Sequence, residues 1–204
     1  RADLRATAAA VPTAAAFEAV LDEVRPEKER ARKSGRWTQH AILLPRAGEE
    51  EEERGFELHL GGAEVDSLPE RCTHVVTLWD DERDLPPLPP ATLTTARRAG
   101  KEPARHVVRV RDVFDADLRS HFDACCAFLS ACAAAGGVAY VHCQMGRSRS
   151  ATVTIAFLMR RYAVSLRVAY AHVAMRRDVY ALNYGFLAQL NDEEAALASA
   201  LVAP

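Results

Sequence analysis

Apolar residues recur along this chain in two rhythms, with glycine and proline marking the changes between them. Residues 40–44 read as a first strand. Residues 56–60 alternate apolar and polar positions and run into Gly61-Gly62, which predicts a strand followed by a turn. The run His74-Val75-Val76-Thr77-Leu78-Trp79 is apolar and mostly β-branched, the pattern of a buried strand. Residues 106–110 and Val138–His142 read as two more strands. Leu118, Phe122, Cys125, Leu129 and Cys132 recur at intervals of four and three, a helix with one buried face. Asp115 or Asp117 can cap that helix, and Gly136-Gly137 ends it. Arg149–Tyr162 is apolar nearly all round, which predicts a central, buried helix. Ser165 can cap a helix reaching Arg177, and Asn183 a last one with Phe186, Leu187 and Leu190 facing inward. Strands alternating with helices predict an α/β domain with helices on both faces of a sheet.

Some stretches fall outside this alternation. Residues 1–40 read as a helical and charged extension preceding a domain over 41–204. There Phe17, Val20, Leu21 and Val24 make a short apolar stripe that Pro26 interrupts. Residues 49–53 are five consecutive acids, a solvated loop. Residues 85–90 contain four prolines and cannot be regular structure. The basic residues Arg97, Arg98, Lys101 and Arg105 follow in what reads as the same long loop.

Composition narrows the class. A chain of 204 residues is long enough for one well-cored domain with extensions. Its hydrophobic fraction of 49% and charged fraction of 26% are ordinary for a globular protein. A formal net charge of -2 does not suggest a nucleic-acid binder. No apolar run is long enough to span a membrane, and no secretory signal is evident. The chain begins at Arg1 rather than Met, so it reads as a fragment that a targeting peptide could precede. The cysteines, 72, 125, 126, 132 and 143, are odd in number and lack framework spacing, which argues against a disulfide scaffold. A reducing compartment, cytoplasm or nucleus, suits a reactive thiol better. No Cys/His cluster has zinc-site spacing.

The chemistry concentrates in His142-Cys143-Gln144-Met145-Gly146-Arg147-Ser148-Arg149-Ser150, between a predicted strand and a predicted helix. A helix N-terminus offers unpaired N–H groups and partial positive charge, which favour both a thiolate and a bound phosphate. Gly146 lets the backbone of Gln144, Met145, Arg147 and Ser148 turn its amides inward. Arg149 supplies a planar fork matched to two phosphate oxygens. Ser148 and Ser150 offer hydroxyl donors, and Ser150 could hydrogen-bond the sulfur and ease its departure from phosphorus. The reaction this suggests is phosphoryl transfer to Cys143 followed by hydrolysis, with no metal or cofactor required. A general acid must come from elsewhere. Asp112, Asp115 and Asp117 are the candidates; Asp112 lies nearest the strand end, and the other two compete as helix caps. His142 reads as an orienting residue or a satisfied core histidine. Cys125 and Cys132 read as core, and Cys126 and Cys72 as thiols that could resolve an oxidised Cys143.

His142-Cys143 through Arg149-Ser150, with Ala151-Thr152, resembles the signature of the dual-specificity protein phosphatases within the cysteine-based phosphatase superfamily. The resemblance continues in Leu58-His59-Leu60-Gly61-Gly62-Ala63, in His74-Val75-Val76, from Asp112 through Asp117-Leu118 to Phe122, and in Asn183-Tyr184-Gly185-Phe186-Leu187 with Gln189-Leu190. It covers roughly residues 56–192 and is closest to the small, atypical members, since the kinase-docking domain of other members is not seen. It implies a mixed, mainly parallel five-stranded sheet flanked by helices, and a shallow cleft for phosphotyrosine, phosphoserine and phosphothreonine. Asp112 falls in the family's acid position. The implied partner is a phosphorylated protein, protein kinases included, and the oligomeric state is not implied. Three positions depart from the pattern: Arg147 adds a cation within the loop, the 85–105 connection is long, and Asp178 stands where proline is common. The first and second motivate an alternative substrate, a phosphoinositide, phosphorylated sugar or RNA 5′-phosphate. A phospho-binding scaffold is the competing class.

Overall fold

In the computed structural model, the described residues are 40–43, 56–65, 67–69, 71–80, 83–88, 102–177, 179 and 182–202. The predicted extension before His40, the acidic block at 49–53, Arg97, Arg98, Lys101 and Asp178 lie outside them.

Five strands form one sheet: β1 (His40–Leu43), β2 (Glu57–Gly61), β3 (Cys72–Trp79), β4 (Ala104–Arg109) and β5 (Val138–His142). Their order is β1-β2-β5-β3-β4. β2, β5, β3 and β4 run parallel, and β1 joins β2 antiparallel at the edge. This is the mixed, mainly parallel sheet that the sequence resemblance implies. In β2, Leu58 and Leu60 turn inward while Glu57 and His59 stay half-buried, the two-residue rhythm of a strand near an edge. All five residues of β5 are buried, because neighbouring strands cover both its edges and packed chain covers both its faces.

Among the described residues there are four α-helices: α1 (Phe122–Ala134), α2 (Arg149–Tyr162), α3 (Leu166–Arg176) and α4 (Tyr184–Val202). α2 packs against α1, α3 and α4 and lies on β5, β2 and β3. Its residues from Arg149 to Met159 are all buried, as an apolar circumference requires. Alternation along the strands sorts the core into two clusters. Leu58, Val76, Leu78, Ala139 and Val141 face the helices. Val75 and Tyr140 face the other way and pack with Leu68, Val65, Cys72 and Leu88. Among the described residues the helices therefore gather on one face. Irregular segments cover the other, where the strand-helix alternation predicts helices on both.

Helix ends follow local chemistry where they can. Ser165 accepts the Val168 N–H at the start of α3, and Asn183 Oδ1 accepts the Gly185 N–H at the start of α4. Before α1 the chain makes a 3-10 turn (Arg119–His121), and Asp117, rather than Asp115, accepts the Ser120 N–H. The N–H groups of Leu118 and Arg119 both donate to Gln189 Oε1 of α4 at 2.8 and 2.7 Å, a cap supplied from another helix. Arg160 of α2 pairs with Asp123 of α1 and with buried Glu193 of α4, so the helix layer is tied by one guanidinium.

Candidate active site

β5 ends at His142 and α2 begins at Arg149, so residues 143–148 form the loop between them. Its shape is set by what holds its carbonyls. Arg177, 4% exposed, donates from Nε to the Gly146 carbonyl and from Nη2 to the Met145 carbonyl. The Ala63 N–H donates to the Gln144 carbonyl at 3.0 Å. In a trans peptide the N–H points opposite to the C=O, so anchoring these carbonyls outward turns the following N–H groups inward. The Gly146 N–H accordingly reaches Cys143 Sγ at 3.2 Å. Gly146 adopts φ +69, and a Cβ there would lie 2.1 Å from the Gly61 carbonyl oxygen, so both conformation and space demand glycine.

Cys143 is 2% exposed at the floor of this loop. Ser150, on the first turn of α2, donates its hydroxyl to Sγ at 3.2 Å. Arg149 is nearly as buried; Nη1 donates to the Val110 carbonyl at 3.2 Å, while Nε has no hydrogen-bond partner and lies 3.6 Å from Asp112 Oδ2. Asp112 follows β4 and reaches over the loop. Its Oδ1 accepts from Ser148 Oγ at 2.9 Å and from Asn183 Nδ2 at 3.1 Å. The structure thus brings together Cys143, Gly146, Ser148, Arg149, Ser150 and Asp112. Gln144 and Met145 are exposed on the outer side, and Arg147 is half-buried. Asp115 is exposed, away from this network, and Asp117 is occupied at the 3-10 turn.

His142 lies beneath the loop on the sheet face away from the helices. Nε2 pairs with Thr77 Oγ1 at 2.8 Å, and the ring stacks on Tyr140. Burial, then the charge of Arg105, push its imidazole down to about 4. The sign follows directly. Between pH 6.5 and 4 the unfolded chain takes up a proton that the folded ring refuses, so stability is intact above pH 6.5 and declines through that window. The loss amounts to at most about 3 kcal/mol. The urea midpoint of the wild type should therefore fall more steeply from pH 6.5 to 4.5 than that of His142→Asn; parallel slopes would remove this account of His142.

The other thiols belong to the core. Burial raises Cys72 and Cys125 to about 12 and Cys126 to about 11. Cys72 pairs in register with Val138, at the far end of β5, about 16 Å from Cys143 along the strand, too far to resolve its oxidation. Arg105 lies in β4 instead of the long loop; its Nε donates to Thr77 Oγ1 and its Nη2 to the Pro86 carbonyl. The sequence reading missed Arg177 as the anchor of the loop. It also missed Asn183 as a second hand on Asp112, and Tyr140, whose hydroxyl holds the Gly62 carbonyl at 2.6 Å. Only Asn183 carried a signal, and that signal read as a helix cap.

A thiol at the focus of a strand-loop-helix turn, with an arginine opening the helix, is the architecture of the cysteine-based phosphatases. The dual specificity phosphatase catalytic domain matches residues 90–196, more than half of the chain. Dual specificity protein phosphatase 1 of Arabidopsis thaliana is 41% identical over 91 residues, 45% of this chain and 46% of that protein. Human dual specificity protein phosphatase 5 is 34% identical over 109 residues, 52% of this chain and 28% of that one. The match thus spans less than half the length of these curated relatives. The crystal structure of human DUSP28 superposes with a TM-score of 0.57 at 32% identity, covering 70% of this chain and 94% of that one. The chain belongs to the dual specificity phosphatase family. Among the described residues, no helix is long and apolar enough to cross a membrane.

Proposed function

We propose that this chain hydrolyses phosphotyrosine and phosphoserine or phosphothreonine in proteins through a phosphocysteine intermediate. The domain responsible spans residues 41–204 and works in the reducing cytoplasm or nucleus. Cys143 Sγ attacks phosphorus, and the ester oxygen leaves with a proton from Asp112. Arg149 and the loop amides of residues 144–148, of which those of Met145, Gly146 and Arg147 follow the outward-held carbonyls, hold the equatorial oxygens as charge builds on them. Water then cleaves the sulfur–phosphorus bond, with Ser150 donating to the departing sulfur. The observation that carries this reading is the convergence on one sulfur of the Gly146 N–H and the Ser150 hydroxyl, both at 3.2 Å, beside the Arg149–Asp112 pair.

A protein substrate is supported by the rim. Phe114, Met145 and Tyr184 are the exposed large apolar side chains among the described residues. They sit on the Asp112 segment, the Cys143 loop and the start of α4, segments that meet where Asn183 bonds Asp112. Such side chains suit the apolar neighbours of a phosphorylated residue in a peptide. Protein kinases are among the candidate substrates.

Arg147, half-buried within the loop, supports a second reading: an anionic small molecule such as a phosphoinositide, phosphorylated sugar or RNA 5′-phosphate. Arg105, spent inside the sheet, gives that reading no help. The test is a panel of phosphotyrosine and phosphothreonine peptides against inositol phosphates, run on the wild type and on Arg147→Ala. We expect kcat/KM to favour peptides in both proteins. A preference for inositol phosphates that Arg147→Ala cuts by roughly tenfold would replace the first reading with the second. A wild type that binds phosphopeptide without turnover would establish the scaffold.

A further inference from the structure

We infer that Arg105 is a positioning residue for the Cys143 loop, acting through Thr77 to fix His142 in the tautomer that carries its proton on Nδ1. The argument is one of hydrogen-bond direction. A guanidinium only donates, so Arg105 Nε–H donates to Thr77 Oγ1, at 2.9 Å. Thr77 is fully buried, and its hydroxyl has one proton to place. His142 Nε2, 2.8 Å away, is where that proton goes. Nε2 is then an acceptor, and the single proton of the neutral ring belongs to Nδ1. The opposite arrangement, with Nε2–H donating to Thr77, would strand the hydroxyl proton of a fully buried threonine.

Either tautomer leaves one buried proton without a hydrogen bond of good geometry: the Thr77 hydroxyl proton in one, the Nδ1 proton in the other. What separates them is the Cys143 backbone, the neighbour that favours a proton on the ring. The Nδ1 proton of the proposed tautomer faces that main chain at the root of the loop, where Cys143 begins. Arg105 itself cannot swing away easily, since Nη2 is held by the Pro86 carbonyl at 2.9 Å. The groups that face this ring are Thr77 from β3, Arg105 from β4, and Tyr140 and Cys143 from its own strand and loop. On the other side of Cys143 stand Arg149 and Asp112. The register makes the relay possible: His142 pairs with Thr77, and Arg105 enters diagonally from the next strand on the same face.

The experiment is nitrogen NMR of the full chain carrying ¹⁵N-histidine, with His142 assigned by the loss of its signals in His142→Asn. The wild type should show a protonated Nδ1 and a bare Nε2. Arg105→Met and Thr77→Val should release the ring to the other tautomer or a mixture, while Arg105→Lys, which still donates, should keep the wild-type pattern. With p-nitrophenyl phosphate, Arg105→Met should lower kcat roughly tenfold with KM held within about twofold, and lysine should restore it. Thr77→Val, close to isosteric, carries the test if Arg105→Met fails to fold. A wild-type ring protonated on Nε2, or both variants keeping the wild-type tautomer, would overturn the inference. The kinetic readout rests on the proposed phosphatase reading; the nitrogen spectra do not. Absence of turnover in the wild type sinks that reading alone, and the spectra still decide the tautomer.

Discussion

Cys143→Ser should reduce hydrolysis of p-nitrophenyl phosphate by roughly 10⁴-fold or more while leaving phosphopeptide affinity within about tenfold. The substitution changes one atom at the floor of the loop. The Gly146 N–H, the Ser150 hydroxyl and Arg149 all remain, so the groups proposed to hold a phosphoryl group are intact. What is lost is the nucleophile: among the described residues no carboxylate or imidazole hydrogen-bonds this position to activate a serine hydroxyl there, and the Ser150 hydroxyl beside it is not a base. Calorimetric titration of the variant with a phosphopeptide reads the binding half, and steady-state hydrolysis the chemical half. Full activity in this variant would refute the phosphocysteine route. Loss of binding along with turnover would mean that the sulfur shapes the loop as well as attacking from it.

Asp112→Asn is the second large effect. General acid assistance is worth about 10²–10⁴-fold, and its value depends on how badly the leaving oxygen needs a proton. The loss in kcat should therefore be largest for a phenyl or alkyl phosphate and smallest for p-nitrophenyl phosphate, whose leaving group departs readily as an anion. Asparagine keeps an Oδ1 to accept from Ser148 and Asn183, so the carboxamide should stay in place over the loop. The pairing with Arg149 Nε at 3.6 Å is lost. Comparing kcat across leaving groups separates the two consequences. A graded loss identifies a missing proton, whereas an equal loss on every ester points to a guanidinium that has drifted.

Much of this architecture is legible in the sequence, and the exceptions share a cause. The strands, the central helix and the thiol loop were readable because each writes a local pattern: β-branched runs, an apolar circumference, a fixed spacing from Cys143 to Arg149. Asp112 stands apart from Asp115 and Asp117 in the sequence because helix starts have their own demand for carboxylates; Asp117 serves such a start, and Asp112 lies over the loop. Arg177, by contrast, holds carbonyls 31 and 32 residues away, and Gln189 caps a turn about 70 residues away. Contacts of that kind leave no periodic trace. Arg105 misled for a further reason. A charge beside a basic, proline-rich stretch reads as surface, yet in a parallel sheet a guanidinium can lie across its neighbour and spend its donors on a buried hydroxyl and a carbonyl. The gathering of the described helices on one face was equally unreadable, since alternation of strand and helix does not say which side each crossover takes.

The outward-held carbonyls of the Cys143 loop divide its positions into two kinds. Gly146 is walled in by the Gly61 backbone and Arg177, Gly61 by the Tyr140 hydroxyl, and Gly185 by the Phe114 carbonyl, so no larger residue enters any of these places. Gln144 and Met145 project into solvent from the same few peptides, and Arg147 is only half enclosed. If the chain hydrolyses phosphate esters as proposed, a lineage, or an engineer, could retune which esters are welcomed by varying three neighbouring codons, while the scaffold beneath them stays untouched.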